Sequence, residues 1–505
     1  MTLRLTATPT TPCGRIPRRT FLADTGMGFT GLALGAMLAE DGILGTLGTL
    51  GTARGAETSE APAWSPPSGL AALAPRAKSV IWLFMIGGTS HLESFDPKPA
   101  LNKYAGLTID ESPYGERVVN SPFYRKNVRD FAGTPRKLMN RLYPLQIGYR
   151  KRGESGIEIS DWWPHLSTCV DDISVVRSMW TTDNDHAAQL QFHTGRHIFD
   201  GFYPSLGSWV HYGLGTLNHN LPRFIVLGSP PRDCCGGVGA HGADYLGPEH
   251  AGVKMRINPT NPLPFGTPGS SVFREERADQ LGLLKQLNRL AAVEYPGDKA
   301  MRARVKSYEL AFRMQMAVPE AMTLDGETRA THSLYGLDKG TTKAFGQQCL
   351  LARRFVERGV RFVQLYHNGW DAHSKLIANH SSKIGQTDQP IAGLLKDLKQ
   401  RGLLDETLVV WGTEFGRTPG AENTDGRDHH PYGFSVWLAG GGIKGGTVHG
   451  ATDEVGFHAV EHRHYVTDLH ATVLHQLGLD PKTLEVPGHK RLEIDYGKPI
   501  HQVIA

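Results

Sequence analysis

The sequence predicts an α/β fold, a mostly parallel central sheet with helices on both faces and long loop insertions. Three observations predict it. Continuous apolar runs end abruptly in glycine or polar loops, as Lys78–Ile86 does before Gly87-Gly88, which is the pattern of parallel strands buried on both faces. These runs alternate with stretches of helical period. Clusters of Asp, Glu and His follow successive runs in the last third, at the C-terminal strand ends where open α/β sheets carry their sites.

Taken in order, the chain opens on an address rather than on structure. Arg18-Arg19 followed by Thr20-Phe21-Leu22, then a mildly apolar Gly/Ala stretch from Gly26 to Ala39, has the order of a twin-arginine export signal. The apolar stretch is short of the roughly 20 residues a spanning helix needs. Residues 1–56 are therefore expected to be signal and leader, 57–77 a linker, and 78–505 a single α/β domain with insertions near 97–157 and 229–345. No later segment resembles a membrane span. The twin-arginine translocase is the expected partner during export, and the periplasm or cell surface the destination. Such substrates fold before crossing, so a cofactor or metal can be loaded in the cytoplasm.

Within the domain, Lys78–Ile86 is the first strand and Gly87 to Pro97 its loop. Asp161-Trp-Trp-Pro-His-Leu starts a helix, and Ile173–Arg177 is a strand. Thr181 to His186 is a loop, Ala187 to His193 a helix, and Thr194-Gly195 its stop. Further strands are expected at 222–228, 360–366, 407–411 and 434–438. Helices are expected at 272–317, 342–358, 388–401 and 466–477.

Composition excludes some roles. Of 505 residues, 40% are hydrophobic and 21% charged, and the net charge is +4 without a long basic run. Nucleic acid is not an expected partner. The five cysteines, with Cys234 and Cys235 adjacent, match no zinc-ribbon or thioredoxin spacing and read as free or buried thiols.

The chemistry is expected at three strand ends, Asp371/His373, Glu414 and Asp428/His429/His430. Carboxylate oxygen and imidazole nitrogen are the donors a catalytic divalent ion takes. Zinc is the first expectation, with calcium, magnesium and manganese as alternatives. His186 and His193 are seven apart and share one helical face. His186 is expected to face the site and His193 to pack or cap. Arg417 and Arg196 are candidate anion clamps, and the free N–H groups of the helix beginning near Ala187 would favour an anion too.

Strand-Gly87-Gly88-Thr-Ser90-His91 with Phe95-Asp96-Pro97-Lys98, Pro164-His165-Leu166, Asp183 to Gly195, Gly369-Trp370-Asp371-Ala-His373, Thr413-Glu414-Phe415-Gly416-Arg417-Thr418 and Asp428-His429-His430-Pro431 together resemble the bacterial domain-of-unknown-function 1501 family. The resemblance covers about residues 78–480 and implies an alkaline phosphatase/sulfatase-like fold. It implies a metal site at Asp371, His373 and His430 or His429. It places the superfamily's first-strand Asp at Gly87-Gly88 and its later Asp-His pair at Glu414-Phe415, so a second metal site is absent or rebuilt from Ser90, His91 or Asp96. Ser90 and His91 are also candidates for binding substrate. The nucleophile position falls on Asp185-His186, and no sulfatase maturation motif is present. The resemblance thus implies metal-activated water with His186 as acid/base, Asp185 beside it and Glu414 as ligand or base. The expected activity is hydrolysis of an anionic ester, phosphate or sulfate, on a small molecule or glycan. The alternative is a non-catalytic binding or scaffold protein of the same fold.

Overall fold

The computed structural model describes residues 73–123, 141–258, 261–263 and 317–505, with isolated positions between 282 and 314. The signal, leader, most of the linker and most of the expected helix at 272–317 lie outside the described residues. The described residues belong to one unit within Trp64–Ala505.

A nine-stranded sheet organises them. Its strands, numbered in chain order, are β1 Ser79–Ile86, β2 Ile173–Trp180, β3 Phe224–Leu227, β4 Val253–Lys254, β5 Phe362–Asn368, β6 Thr407–Gly412, β7 Phe434–Ala439, β8 Thr447–His449 and β9 His464–Tyr465. The order is β8-β2-β7-β6-β1-β5-β3-β4, with β9 also paired to β2. Every pairing is parallel except those of β7, which runs against both β6 and β2. Five α-helices of seven residues or more are described: α1 Ala188–Thr194, α2 Leu206–Leu214, α3 Gly340–Glu357, α4 Leu376–Gln400 and α5 Val466–Gln476.

β1 shows why the sheet is central. All eight of its residues are buried, and successive side chains point to opposite faces. Ile81, Leu83 and Met85 join the core that contains residues of α3 and α4. Val80, Trp82 and Phe84 join the core with α2 and α5. Burying each such side chain contributes about 1.5–3 kcal/mol, so a continuous apolar run is what this position requires.

Two expected boundaries move. α4 begins at Leu376, twelve residues before the sequence suggests. Its buried stripe there is Leu376, His380, Ile384, Thr387 and Asp388. That is helical spacing written partly in polar residues, which apolar periodicity alone overlooks. The segment at Asp161 is a turn, and helical hydrogen bonding begins only at Leu166, beyond Pro164.

Register sets the site. Ile86 of β1 pairs with Asn368 of β5, and Phe84 pairs with Gly412 of β6. Met179, near the end of β2, pairs with Phe434, where the reversed strand β7 starts. The loops after β1, β2, β5 and β6 and the loop before β7 therefore emerge at one edge of the sheet.

Candidate functional site

Asp371 stands where these loops meet. Its Oδ1 lies 2.9 Å from His373 Nε2 and 3.0 Å from His429 Nε2. Those two nitrogens are 3.0 Å from each other. Its Oδ2 lies 3.0 Å from His186 Nε2.

The far side of each ring explains the arrangement. His429 Nδ1 faces the Asn184 carbonyl at 3.1 Å. His373 Nδ1 is bonded to Glu422, and His186 Nδ1 faces Glu414 Oε1 at 3.2 Å. Each of these partners accepts, so each Nδ1 carries the hydrogen. His429 and, in its neutral form, His373 then turn an Nε2 lone pair toward Asp371, whereas His186, held as the imidazolium, donates from Nε2 to Asp371 Oδ2; these tautomers are assigned from the network. Ligating histidines are anchored in this way, by an acceptor on the other nitrogen. Lone pairs facing a carboxylate at 3 Å repel unless a proton or cation lies between them.

Donor spacing fits a cation. Ligand atoms of a tetrahedral zinc, each about 2.0–2.1 Å from the ion, lie about 3.3 Å apart. Among the described residues, two groups of three ligand atoms lie within 4.8 Å of one another: His186/Asp371/His429 and His373/Asp428/His429.

Protonation follows the same geometry. Burial pushes the His186 imidazole down, but the Asp371 and Glu414 carboxylates outweigh it and hold the pKa up at about 9. Burial keeps His429 well below the usual imidazole range, against Asp371. Burial would raise Asp371, yet His186, His373, His429 and Arg417 hold it well below the usual carboxylate range.

The other expected site residues fall in different places. Glu414 is fully buried. Its Oε1 accepts from the Gly87 amide at 2.8 Å and Gln189 Nε2 at 3.0 Å, besides facing His186. It orients His186 and does not reach a substrate. Asp185 Oδ1 accepts from the His186 amide at 2.7 Å, which ties it to the turn.

Arg417 corrects the anion-clamp expectation. Its guanidinium is fully buried and donates to Asp371 Oδ1 at 2.7 Å, to the Gly88 carbonyl at 2.8 Å and to the Arg427 carbonyl at 3.0 Å. It holds Asp371 rather than a substrate. Arg196 is likewise taken, forking onto Asp495 at 2.6 and 2.9 Å and lying over the Tyr203 ring.

His430 is corrected for a geometric reason. It adjoins His429 in the short strand His429–His430, and neighbours in a strand face opposite ways. His429 points at Asp371, while His430 bonds the Phe457 carbonyl and stacks on His91.

The loop after β1 supplies no ligand either. His91 Nε2 meets the Gly456 carbonyl at 3.0 Å, and the Ser90 hydroxyl bonds Glu93. Asp96 is buried against Lys98 Nζ at 3.0 Å. His193 packs in the core, 4.4 Å from the Phe84 ring, and burial takes its pKa to about 3. α1 has seven residues, and the amides just before it meet the carboxylates of Asp183 and Asp185, so no anion site forms there.

The first-strand position of the resemblance is closed. Gly87 has φ +124°, and a Cβ there would lie 2.5 Å from the Asp371 amide nitrogen. At Gly88 a Cβ would meet the Phe415 ring at 2.4 Å. No carboxylate fits at either residue. Phe415 instead forms a wall, 4.3 Å from the His429 ring and 5.7 Å from His186. Gly87→Ala is expected to destabilise the fold by about 1–3 kcal/mol and to weaken zinc binding by displacing Asp371. Denaturant unfolding and zinc titration check the two effects.

Sequence reasoning passed over several members. Glu93 and Arg427 form a fully buried ion pair at 2.7 Å. Arg427 also donates to the carbonyls of Thr418 and Pro419 at 3.0 Å and of Tyr143 and Pro144 at 3.1 Å. The pair fastens the loop after β1 to the loop that presents His429. Glu422 and Gln189 anchor His373 and Glu414. Arg427 has a signal, standing inside Gly426-Arg427-Asp428, whereas Gln189 has none.

A family model described as a protein of unknown function, DUF1501, matches residues 77–504. The chain belongs to the DUF1501 family. No curated protein matches this DUF1501 chain. Solved structures similar to it include Ps i-CgsB with k-i-k-neocarrahexaose, at 9% identity and TM-score 0.35, covering 84% of this chain and 75% of that one. The phosphonate monoester hydrolase SpPMH from Silicibacter pomeroyi is similar at 13% identity and TM-score 0.33, covering 68% and 71%. Alkaline phosphatase from the Antarctic bacterium TAB5 is similar at 12% identity and TM-score 0.29, covering 72% and 92%. No described helix of the DUF1501 chain is long and apolar enough to cross a membrane.

Proposed function

We propose that this DUF1501 protein is an exported, metal-dependent hydrolase of an anionic ester, phosphate or sulfate, in the alkaline phosphatase/sulfatase superfamily. The observation that carries the reading is the triangle of Asp371 Oδ1, His373 Nε2 and His429 Nε2, with sides of 2.9–3.0 Å. These residues hold the divalent ion, zinc first and calcium, magnesium or manganese otherwise, with Asp428 beside them. When bound, such an ion polarises an ester oxygen and acidifies water.

The chain's own residues do the rest. Arg417 and the imidazoles fix Asp371 in its ionised form. Glu414 and Gln189 fix the His186 ring, whose proton is held at about pKa 9 and is available to a leaving-group oxygen. Two hydroxyls in the loops after β1 and β6 are held by protein partners. Thr413 Oγ1 donates to the Met85 carbonyl at 2.8 Å, and Ser90 is bonded to Glu93, so water is the attacker.

The test is a panel of aryl phosphate, phosphodiester and sulfate esters with zinc-loaded protein. Turnover of one ester class, lowered about 10²–10⁴-fold in kcat by His186→Gln, is expected. Bound zinc with no turnover on any ester rejects the hydrolase and leaves the second reading, a non-catalytic binding protein. That reading draws on Arg417, whose guanidinium occupies an Asp371 oxygen.

Export rests on Arg18-Arg19. Replacing both with lysine is expected to leave the protein in the cytoplasm of a bacterial host with an intact twin-arginine translocase. Unchanged fractionation rejects the route.

A further inference from the structure

Two adjoining cavities open on the flank of β2, away from the Asp371 cluster. One, of about 610 Å³, is lined by residues that include Trp180, Arg463, His464, Tyr465, Lys498 and His501. The other, of about 350 Å³, shares Trp180, Tyr465 and Lys498 and adds Thr182, Lys482 and Tyr496.

Both linings are aromatic and charged. The Trp180 and Tyr465 rings stand 4.9 Å apart, and the Arg463 guanidinium lies 4.6 Å above Trp180. Asp468 is the acid lining both cavities. Its oxygens are already engaged, Oδ2 by His464 Nδ1 at 3.1 Å and Oδ1 by the Lys498 amide at 2.8 Å. Glu493 adds one more carboxylate to the smaller cavity. In the larger cavity Arg463 and Lys498 outnumber Asp468, which leaves net positive charge beside ring edges and suits a sugar that carries an anionic group.

A rigid link ties this wall to the candidate site. Gln191 Nε2 donates to Tyr465 Oη at 2.6 Å and to Thr182 Oγ1 at 2.8 Å. Gln191 Oε1 accepts from the Asp183 amide at 3.2 Å. The same segment reaches His186 four residues after Thr182, a span of at most about 14 Å. A polymer with one unit at His186 thus has its neighbouring units within reach of the cavities.

We propose that these cavities hold the flanking units of an anionic polysaccharide, and that the ester hydrolysed at the Asp371–His186 site is borne by that polymer. The second half rests on the hydrolase reading. The first does not, because binding is measured without turnover.

The experiment is calorimetric titration of the purified full chain with dextran sulfate, neutral dextran, polygalacturonate, inorganic sulfate and a short oligothymidylate. It is repeated with Lys482→Glu/Lys498→Glu, both exposed positions, and with Lys78→Gln, an exposed lysine outside both linings. Binding of a charged polysaccharide is expected, weakened at least about tenfold in the double variant at an unchanged melting temperature, and changed less than twofold by Lys78→Gln. Dextran sulfate as the ligand assigns a sulfate group, and polygalacturonate a carboxylate. Equal affinity for neutral dextran, for inorganic sulfate alone or for the oligothymidylate overturns the proposal, as does a double variant that binds like the parent. Binding without turnover on any ester leaves the cavities assigned and removes only the hydrolase.

Discussion

Asp371→Asn is expected to lower turnover on the preferred ester at least about 10³-fold and to remove high-affinity zinc binding. The substitution keeps the side chain's shape but takes away its charge. Three imidazole nitrogens at 2.9–3.0 Å and the Arg417 guanidinium at 2.7 Å converge on this carboxylate. An asparagine oxygen cannot balance them, and its amide nitrogen cannot ligate. Loss of an ion worth several kcal/mol to the transition state corresponds to that factor, at about 1.36 kcal/mol per tenfold in rate. Asp371 is 36% exposed, so the folded state tolerates the change and the protein should purify normally. Initial rates and zinc titration on the same preparation check both effects. A variant that keeps a tenth or more of the parental rate would remove Asp371 from the site's centre.

Glu93→Gln carries the largest expected loss of stability, about 3–5 kcal/mol, the usual cost of removing one partner from a buried ion pair. Both Glu93 and Arg427 are fully buried, and glutamine leaves the guanidinium charge without its counter-ion. Arg427 keeps its four carbonyl acceptors, so the fold survives while the loop presenting His429 loosens. Zinc affinity should therefore fall along with stability. The control is Lys78→Gln, in an exposed pair with Glu406, expected to change stability by no more than about 0.5 kcal/mol. Equilibrium urea unfolding separates the two. Equal midpoints for the two variants would show that the buried pair contributes nothing to the architecture.

The sheet was legible because its strands are written plainly. β1, β5, β6 and β7 are apolar runs interrupted by glycine or polar residues, and a strand buried on both faces admits little else. Asp371 and His373 were legible because Gly369-Trp370-Asp371-Ala372-His373 follows such a run directly. The choice between His429 and His430 was not. Both follow Asp428, and only the pairing of His429 with Arg417 and His430 with Gly416 settles which faces inward.

Arginines misled for a related reason. A guanidinium near a predicted loop looks available in a sequence, because its acceptors are backbone carbonyls and carboxylates far away along the chain. Arg417 reaches back to Gly87 and Gly88, and Arg196 reaches forward to Asp495. The early start of α4 was hidden because His380, buried in the helix stripe, accepts from the Ser90 amide at 3.0 Å. A polar side chain with a distant backbone partner cannot be told from a surface residue by periodicity.

The most direct measurement is the metal content of the purified protein, by elemental analysis after dialysis against zinc, with the His429→Ala variant treated identically. At least one equivalent of zinc in the parent, lost in the variant while its far-ultraviolet circular dichroism is unchanged, is the predicted result. A parent that folds normally and retains no divalent ion, or a variant that retains as much as the parent, would contradict the convergence of Asp371, His373 and His429 on a cation.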